Sequence, residues 1–385
     1  RPAVGRTGRF RRRPRLRPQG VRAVPGAVRR LGRAVRRRAG NRVARLDRAR
    51  QVVPQGPVLR IQRRRGAPEA GAAAGAGATA AGAGMATLGF PMVSNAQTVN
   101  FRFQSTWPAK DIFHEYALDY ANKVNSMSGG RLKIDVLPSG SVVGAFNLLD
   151  AVSSGTLDGG HGVLAYWYGK SPALALWGSG PAFGMDANML ISWHQYGGGK
   201  QLLEKIYASL KMDVVSFVYG PMPTQPLGWF KKPITKTEDF KGLKYRTVGL
   251  SIEIFNAMGA SVQALPGADI VPAMDRGVLD AAEFNNATSD RILGFADVSK
   301  VCMLQSFHQS SEVFEVIFNK QRFDSLPFAL RSIIRYALQA SSADLSWKAS
   351  DRFSTDYEEM RRKQGVRYFI TPDDILKAQL NAWRK

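Results

Sequence analysis

The chain has 385 residues, enough for two domains of ordinary size, and a formal net charge of +24 that by itself suggests a nucleic-acid binder. Segment by segment the suggestion disappears: residues 1–65 hold 23 Arg, no Lys and one acid, Asp47, and carry +22 of the excess. The single cysteine, Cys302 in the apolar run "VCMLQ", excludes an intramolecular disulfide and reads as a buried small hydrophobe.

The head contains "RFRRRPRLR" and "VRRLGRAVRRRAG", with scattered Gly and Pro and neither aromatic interleaving nor an apolar period. One reading is a disordered Arg-rich arm for phosphate or an acidic surface. The better supported reading starts from codon usage: there is no Met before Met85 and no Lys before Lys110, as expected of GC-rich DNA read in an unselected frame. Residues 1–65 are therefore set aside, and no nucleic-acid partner is expected. In residues 66–96 an Ala/Gly run follows the arginines at 63–65 and ends in Ser94-Asn95-Ala96, which predicts an export signal, of twin-arginine type by its low hydrophobicity. A flexible Gly/Ala linker is the plain alternative. Nothing after Gln97 is long and apolar enough to cross a bilayer, so the expectation is an exported periplasmic chain of about 290 residues.

From Val99 the pattern is regular. "TVNFRFQST" alternates Val99, Phe101 and Phe103 as a strand does. Trp107-Pro108 turns into a helix with Ile112, Phe113, Tyr116, Tyr120 and Val124 on one side, stopped at Gly129-Gly130. "RLKIDVLPSG" alternates again; a helix over 146–154, "GGHGVLAYW", a further helical stretch and the strand "DVVSFVYG" follow. Past Pro221 come "LGWF", a short helix over 238–241, "LKYRTV", a helix over 251–258, "VQALP", a helix over 269–276 and "DAAEF". Strand and helix alternate, which predicts a bilobal α/β protein with largely parallel sheets. Lobe I is expected over 97–221 and lobe II over 222–303. Residues 304–385 are expected to return to lobe I, with a long helix and a C-terminal helix. In this reading "VCMLQ" and "EVFEVIFN" are the strands that lead back.

"AVSSGTLDGGH" (151–161) and "AMDRGVLDAAE" (273–283) match at Ala151/Ala273, Gly155/Gly277, Leu157/Leu279 and Asp158/Asp280, with a constant offset of 122. Each predicts a helix ending on a glycine free to adopt a left-handed conformation, a leucine anchor, and a strand of small residues. His161 and Glu283 then occupy equivalent strand tips, where bilobal α/β proteins face their cleft. Glu283 needs a partner there, because an unpaired buried charge is costly. On "GLKYRTVG", Lys244, Arg246 and Val248 share a face, and Arg246 suits a two-pronged grip on a carboxylate; a surface Arg is the plain alternative. Gln225, between two prolines in "PMPTQPLGWF", has a stiffened backbone and a fixed amide, or is an ordinary loop Gln.

Residues 98–385 resemble the solute-binding subunit of tripartite ATP-independent periplasmic (TRAP) transporters, in particular the branch that binds 2-oxo acids. The motifs are "GLKYR" followed by a helix and "MGA", "ALPGADIVPAMDRGVLDAAEF", and "FHQ" at 307–309. The resemblance implies a two-lobed periplasmic-binding-protein-like fold with a ligand cleft between lobes and long C-terminal helices. It implies that Arg246 clamps a small carboxylate such as pyruvate or a longer 2-oxo acid, while Glu283, Gln225 and the main-chain oxygen of Phe284 hold a metal cation. Arg246 cancels the ligand's charge and leaves Glu283 uncompensated, so a monovalent cation, Na+, balances the site, with Ca2+ as the alternative. The implied partners are the membrane permease subunits and a second copy joined through a C-terminal helix. The family commonly has Trp at Phe284, Val-Gly-Pro at Asn285-Asn286-Ala287 and a Glu near Gln309. Here Asn286 is expected to add a polar contact to the ligand and Gln309 to reach the cation, with Trp107, Tyr166 and Phe183 as aromatic walls. His308 is expected to be structural.

The competing class is a secreted hydrolase of bilobal α/β fold built on His114, His161, His194 or His308. It finds no nucleophile elbow, zinc pair or phosphate loop to support it. A binding protein that closes by hinge motion near 219–224 and 301–306 is the expected function.

Overall fold

The computed structural model describes residues 98–385; the Arg-rich head and the expected export signal lie outside the described residues. The first sheet is built from β1 (Val99–Ser105), β2 (Leu132–Leu137), β3 (Gly159–Val163), β4 (Val214–Met222) and β10 (Glu312–Asn319), in the order β2-β1-β3-β10-β4. The second contains β5 (Gly228–Phe230), β6 (Lys244–Arg246), β7 (Ser261–Gln263), β8 (Ala281–Ala282), β9 (Val301–Met303) and β11 (Arg367–Phe369), in the order β11-β9-β5-β8-β6-β7. Helices α1 (Ile112–Met127), α2 (Leu148–Ser153), α3 (Ala187–Tyr196) and α4 (Gly199–Ser209) accompany the first sheet. Helices α5 (Ser251–Ala257), α6 (Gly267–Asp275) and α7 (Ala287–Leu293) accompany the second. Asp111 starts α1 by accepting the Phe113 N–H at 3.1 Å, and the apolar face Ile112, Phe113, Tyr116, Tyr120 and Val124 is buried.

The largely parallel sheets expected from alternation are instead mixed. β1 runs parallel to β2 and β3, but β10 is antiparallel to both β3 and β4. In the second sheet β5 is antiparallel to β8 and β9. The reason is the double passage between lobes: β4 leads out of the first lobe and β10 leads back in, so they must run oppositely, with Met222 beside Glu312 at the boundary. β5 and β9 repeat this with Gly228 beside Met303. A second correction concerns the tail. "VCMLQ" stays in the second sheet as β9, and residues 364–385 do not return to lobe I: β11 pairs with β9, and Ile375 of α9 (Asp373–Trp383) lies in the second apolar core with Leu227, Phe230, Tyr245 and Phe255. Between them α8 (Phe328–Lys363) runs 36 residues without a break and touches α1 and β4 on one side and α7 on the other.

The internal repeat is visible atom by atom. Gly155 and Gly277 take φ +79° and +73°, a region that costs other residues energy. The amide of Leu157 donates to the Ala151 carbonyl at 3.0 Å, and that of Leu279 to Ala273 at 3.1 Å; both leucines are buried. Asp158 then takes the Arg102 N–H on its carboxylate and gives its own N–H to the Arg102 carbonyl, and Asp280 does the same with Lys244. Each aspartate thereby fixes the register of the strand that follows against its parallel neighbour. Leu157→Ala and Leu279→Ala should each lower stability in urea unfolding by about 2–5 kcal/mol, and a loss below about 1 kcal/mol in either would mean that leucine is no anchor.

Candidate functional site

The strand tips and the two crossings between sheets meet in one enclosed polar cluster. Arg246 ends β6, and Glu283 directly follows β8, which pairs with β6 through Arg246 and Ala282. Gln225 lies on the first crossing and Gln309 on the second, and the Gln225 main-chain N–H donates to the Gln309 main-chain carbonyl at 3.2 Å. All four side chains are buried, Arg246 at 1% exposure and Glu283 at 0%. Hydrogen bonds join the lobes around them. Ser289 Oγ on α7 donates to Asp111 at 2.7 Å, Tyr168 OH to Glu253 at 2.7 Å, and the Leu250 N–H to Ser179 Oγ at 2.8 Å.

Arg246 Nη1 donates to Glu283 Oε1 at 2.7 Å and to the Glu283 carbonyl at 3.1 Å, while Nε donates to the Leu265 carbonyl at 2.8 Å. The free two-pronged face expected from the sequence is therefore mostly spent, and Nη2 is the donor left without a protein partner. Glu283 Oε2, Gln225 Oε1 and both amide atoms of Gln309 are likewise buried without a protein hydrogen-bond partner. So are the hydroxyls of Thr247 and Tyr166. Thr247 approaches Glu283, and Tyr166 lies among Arg246, Glu312 and Glu283. Buried polar atoms left this way cost free energy unless a ligand satisfies them. The set combines a free guanidinium N–H with carboxylate and amide oxygens, donors suited to an organic anion and to a hard cation. Among the described residues no three His, Cys, Asp or Glu side chains form a metal cluster, so a cation here would draw on amide and main-chain oxygens as well.

Sequence reasoning missed Glu312, the first residue of β10. It is 3% exposed, and its Oε2 accepts from Gln225 Nε2 at 2.9 Å and Asn285 Nδ2 at 3.4 Å. The signal was present as a second acid, beside Glu315, in the otherwise apolar "EVFEVIFN". Burial pushes the Glu283 carboxyl up to about 7, with Arg246 opposing, and pushes Glu312 up to about 8, with Glu283 adding to the rise. Burial also lifts Asp111 to about 6 and Asp290 to about 7.

The aromatic and polar walls divide. Phe284 is buried, with its ring 5.8 Å from the Arg246 guanidinium and 6.0 Å from Phe113. Trp107 stands one layer back, packed on Tyr166 and donating Nε1–H to His161 Nδ1 at 2.8 Å, while His161 Nε2 meets Tyr219 OH at 2.7 Å. Two expectations fail. Phe183 is 89% exposed in a surface loop at φ +50°, outside the cluster. Asn286 has no free amide: its Oδ1 accepts the Thr288 and Ser289 N–H groups at the start of α7, and its Nδ2 donates to Asn285 Oδ1 at 3.0 Å. The histidines are dispersed and neutral. Ser105 Oγ and His114 Nδ1 are 2.8 Å apart, but both are buried in the first lobe's core, and burial lowers His161 and His308 to about 3. A cavity of about 390 Å³ lined by Phe146, Tyr166, Val248 and Ala264 opens beside the cluster at Tyr166.

Comparison with known proteins places the chain. Residues 103–384 match the family described as bacterial extracellular solute-binding protein, family 7. A monocarboxylate 2-oxoacid-binding periplasmic protein of Nostoc sp. (strain PCC 7120) is 36% identical over 239 residues, 62% of this chain and 65% of that relative, so the chain spans just under two thirds of its length. A TRAP transporter solute binding protein from Bordetella bronchiseptica, crystallised as a dimer with copurified calcium and picolinate, superposes with TM-score 0.71 at 28% identity over 74% of this chain and 84% of that one. A TRAP periplasmic solute binding protein from Pseudoalteromonas atlantica, with bound sodium and pyruvate, gives TM-score 0.70 at 28% identity over 75% and 87%. With a two-lobed fold, an enclosed acid–guanidinium cluster and a match across nearly all the described residues, the chain belongs to family 7 of the bacterial extracellular solute-binding proteins.

Proposed function

We propose that the chain is the periplasmic receptor of a TRAP transporter that takes up a small monocarboxylate of the 2-oxo-acid class, such as pyruvate, together with Na+ or Ca2+, and passes it to membrane permease subunits. The observation that carries this reading is the enclosed Arg246–Glu283 pair, with Arg246 Nη2, Glu283 Oε2 and Gln225 Oε1 all buried and free. Arg246 Nη2 donates to the ligand carboxylate. Glu283, Gln225, Gln309 and the Phe284 carbonyl present oxygens to the cation, and Tyr166 and Phe284 close the wall. The sodium–pyruvate and calcium–picolinate complexes of the similar proteins support both the ligand class and the cation. No bond is made or broken in this task. Closure about the crossings at 223–227 and 304–311 would report occupancy to the permease. Pairing of two copies through the C-terminal helix belongs to the same reading.

Calorimetry tests it. Pyruvate should bind the wild-type protein in the presence of NaCl or CaCl2 and should not be turned over, and Arg246→Ala should weaken binding by about a hundredfold or more. A titration of the variant indistinguishable from wild type would remove Arg246 from the site.

A pH dependence follows from four of the buried carboxyls. Unfolded, they ionise near their ordinary values of 3.8 and 4.5; folded, they hold protons to about 6 for Asp111, about 7 for Glu283 and Asp290, and about 8 for Glu312. Between those limits the folded chain binds more protons than the unfolded one, so stability falls as pH rises through the window. Chelator-treated protein should be more stable in urea at about pH 5 than at about pH 8, with CaCl2 and pyruvate narrowing the gap. Stability that instead rises across this range would show that these carboxyls are already ionised in the folded chain.

A further inference from the structure

Counting charge from Arg246 and Glu283 alone leaves out Glu312. It stands at the lobe boundary, opposite Met222 on β4, and among the described residues it enters no salt bridge. Its Oε2 is held by two neutral amides, Gln225 Nε2 and Asn285 Nδ2, and the Gln309 amide approaches it as well. Glu315 on the same strand shows what a purely structural buried acid looks like here: Trp167 Nε1, Tyr207 OH and Ser216 Oγ all donate to it. Glu312 instead grips an amide whose oxygen is wanted elsewhere. An amide can donate only through nitrogen, so the bond to Glu312 turns Gln225 Oε1 away, buried and without a protein donor.

We propose that Glu312 is the residue that fits this site to a divalent cation, by fixing the Gln225 amide with its oxygen toward the ion and by supplying a second negative charge behind it. The proposal rests on the functional reading above. One guanidinium, Glu283 and a monocarboxylate ligand leave one negative charge, which a monovalent ion balances. Ionised beside a bound cation, Glu312 makes the deficit two. Its attraction acts across Gln225 rather than by contact, which makes it a positioning residue, and in an enclosed site that attraction scales with the charge of the ion. A divalent ion therefore gains about twice what a monovalent ion gains from the same carboxylate.

The test is the ratio of two affinities. Chelator-treated wild-type protein and Glu312→Gln are titrated with pyruvate in NaCl and in CaCl2 series. Glutamine keeps an oxygen to accept from Gln225 Nε2 and removes only the charge, so the calcium-to-sodium affinity ratio should fall by about tenfold or more. A ratio that stays within about threefold of wild type overturns the proposal. Glu312→Asp, which keeps the charge on a shorter side chain, should stay within about threefold of the wild-type ratio, and it decides the matter if the glutamine variant does not fold by circular dichroism: a tenfold fall in the aspartate variant overturns the proposal too. Wild-type protein that binds pyruvate with neither cation would instead overturn the functional reading, and this inference with it.

Discussion

The organisation of this molecule turns on a guanidinium and two carboxylates confined together away from water. Arg246 and Glu283 form a close pair at almost complete burial, and Glu312 adds a second carboxyl that, among the described residues, enters no salt bridge. Ion pairs in such places gain little net stability against their desolvation, and an unbalanced third charge turns the cluster into a liability. A folded chain tolerates it where neutralising company arrives from outside, and the two lobes meet around the cluster. The guanidinium comes from one strand, the first acid from its neighbour, and the amides from the two crossings that the lobes must share.

Much of this was legible in the sequence because the signals are local. The Gly, Leu and Asp of the repeat each specify a backbone event within a few residues, and the structure shows those events in both lobes. Arg246 could be picked out because it is central among the alternating Lys244, Arg246 and Val248 and suits a two-pronged grip on a carboxylate; the structure shows it buried at the end of β6. What escaped is non-local. No periodicity says that β10 will slide between β3 and β4 antiparallel to both; that follows from the chain having visited the other lobe. For the same reason the acid at the head of that apolar strand went unread, although it ends up at the boundary between lobes. Phe183 and Asn286 failed differently. An aromatic in a loop carries no information about which way the loop faces, and an Asn before a helix is claimed first by the helix's own unpaired N–H groups.

That cap has a second effect. Asn286 orders the first turn of α7, which is the turn that carries Ser289 across to Asp111 in the other lobe. Asp111 in turn caps α1 through the same carboxylate oxygen. The residue that starts α1 in one lobe is thus hydrogen-bonded to the first turn of α7 in the other. The approach of the lobes is read out in hydrogen bonds that neither lobe can complete alone.

The long helix α8 ties the two lobes together. Lys348 binds Glu115 and Asp119 on the first lobe, and Asp356, two turns further on, binds Arg291 on the second at 2.8 Å. A rod riveted to both halves by charges so close together leaves only a short span free to flex. Any separation of the lobes must either bend that span or break one rivet.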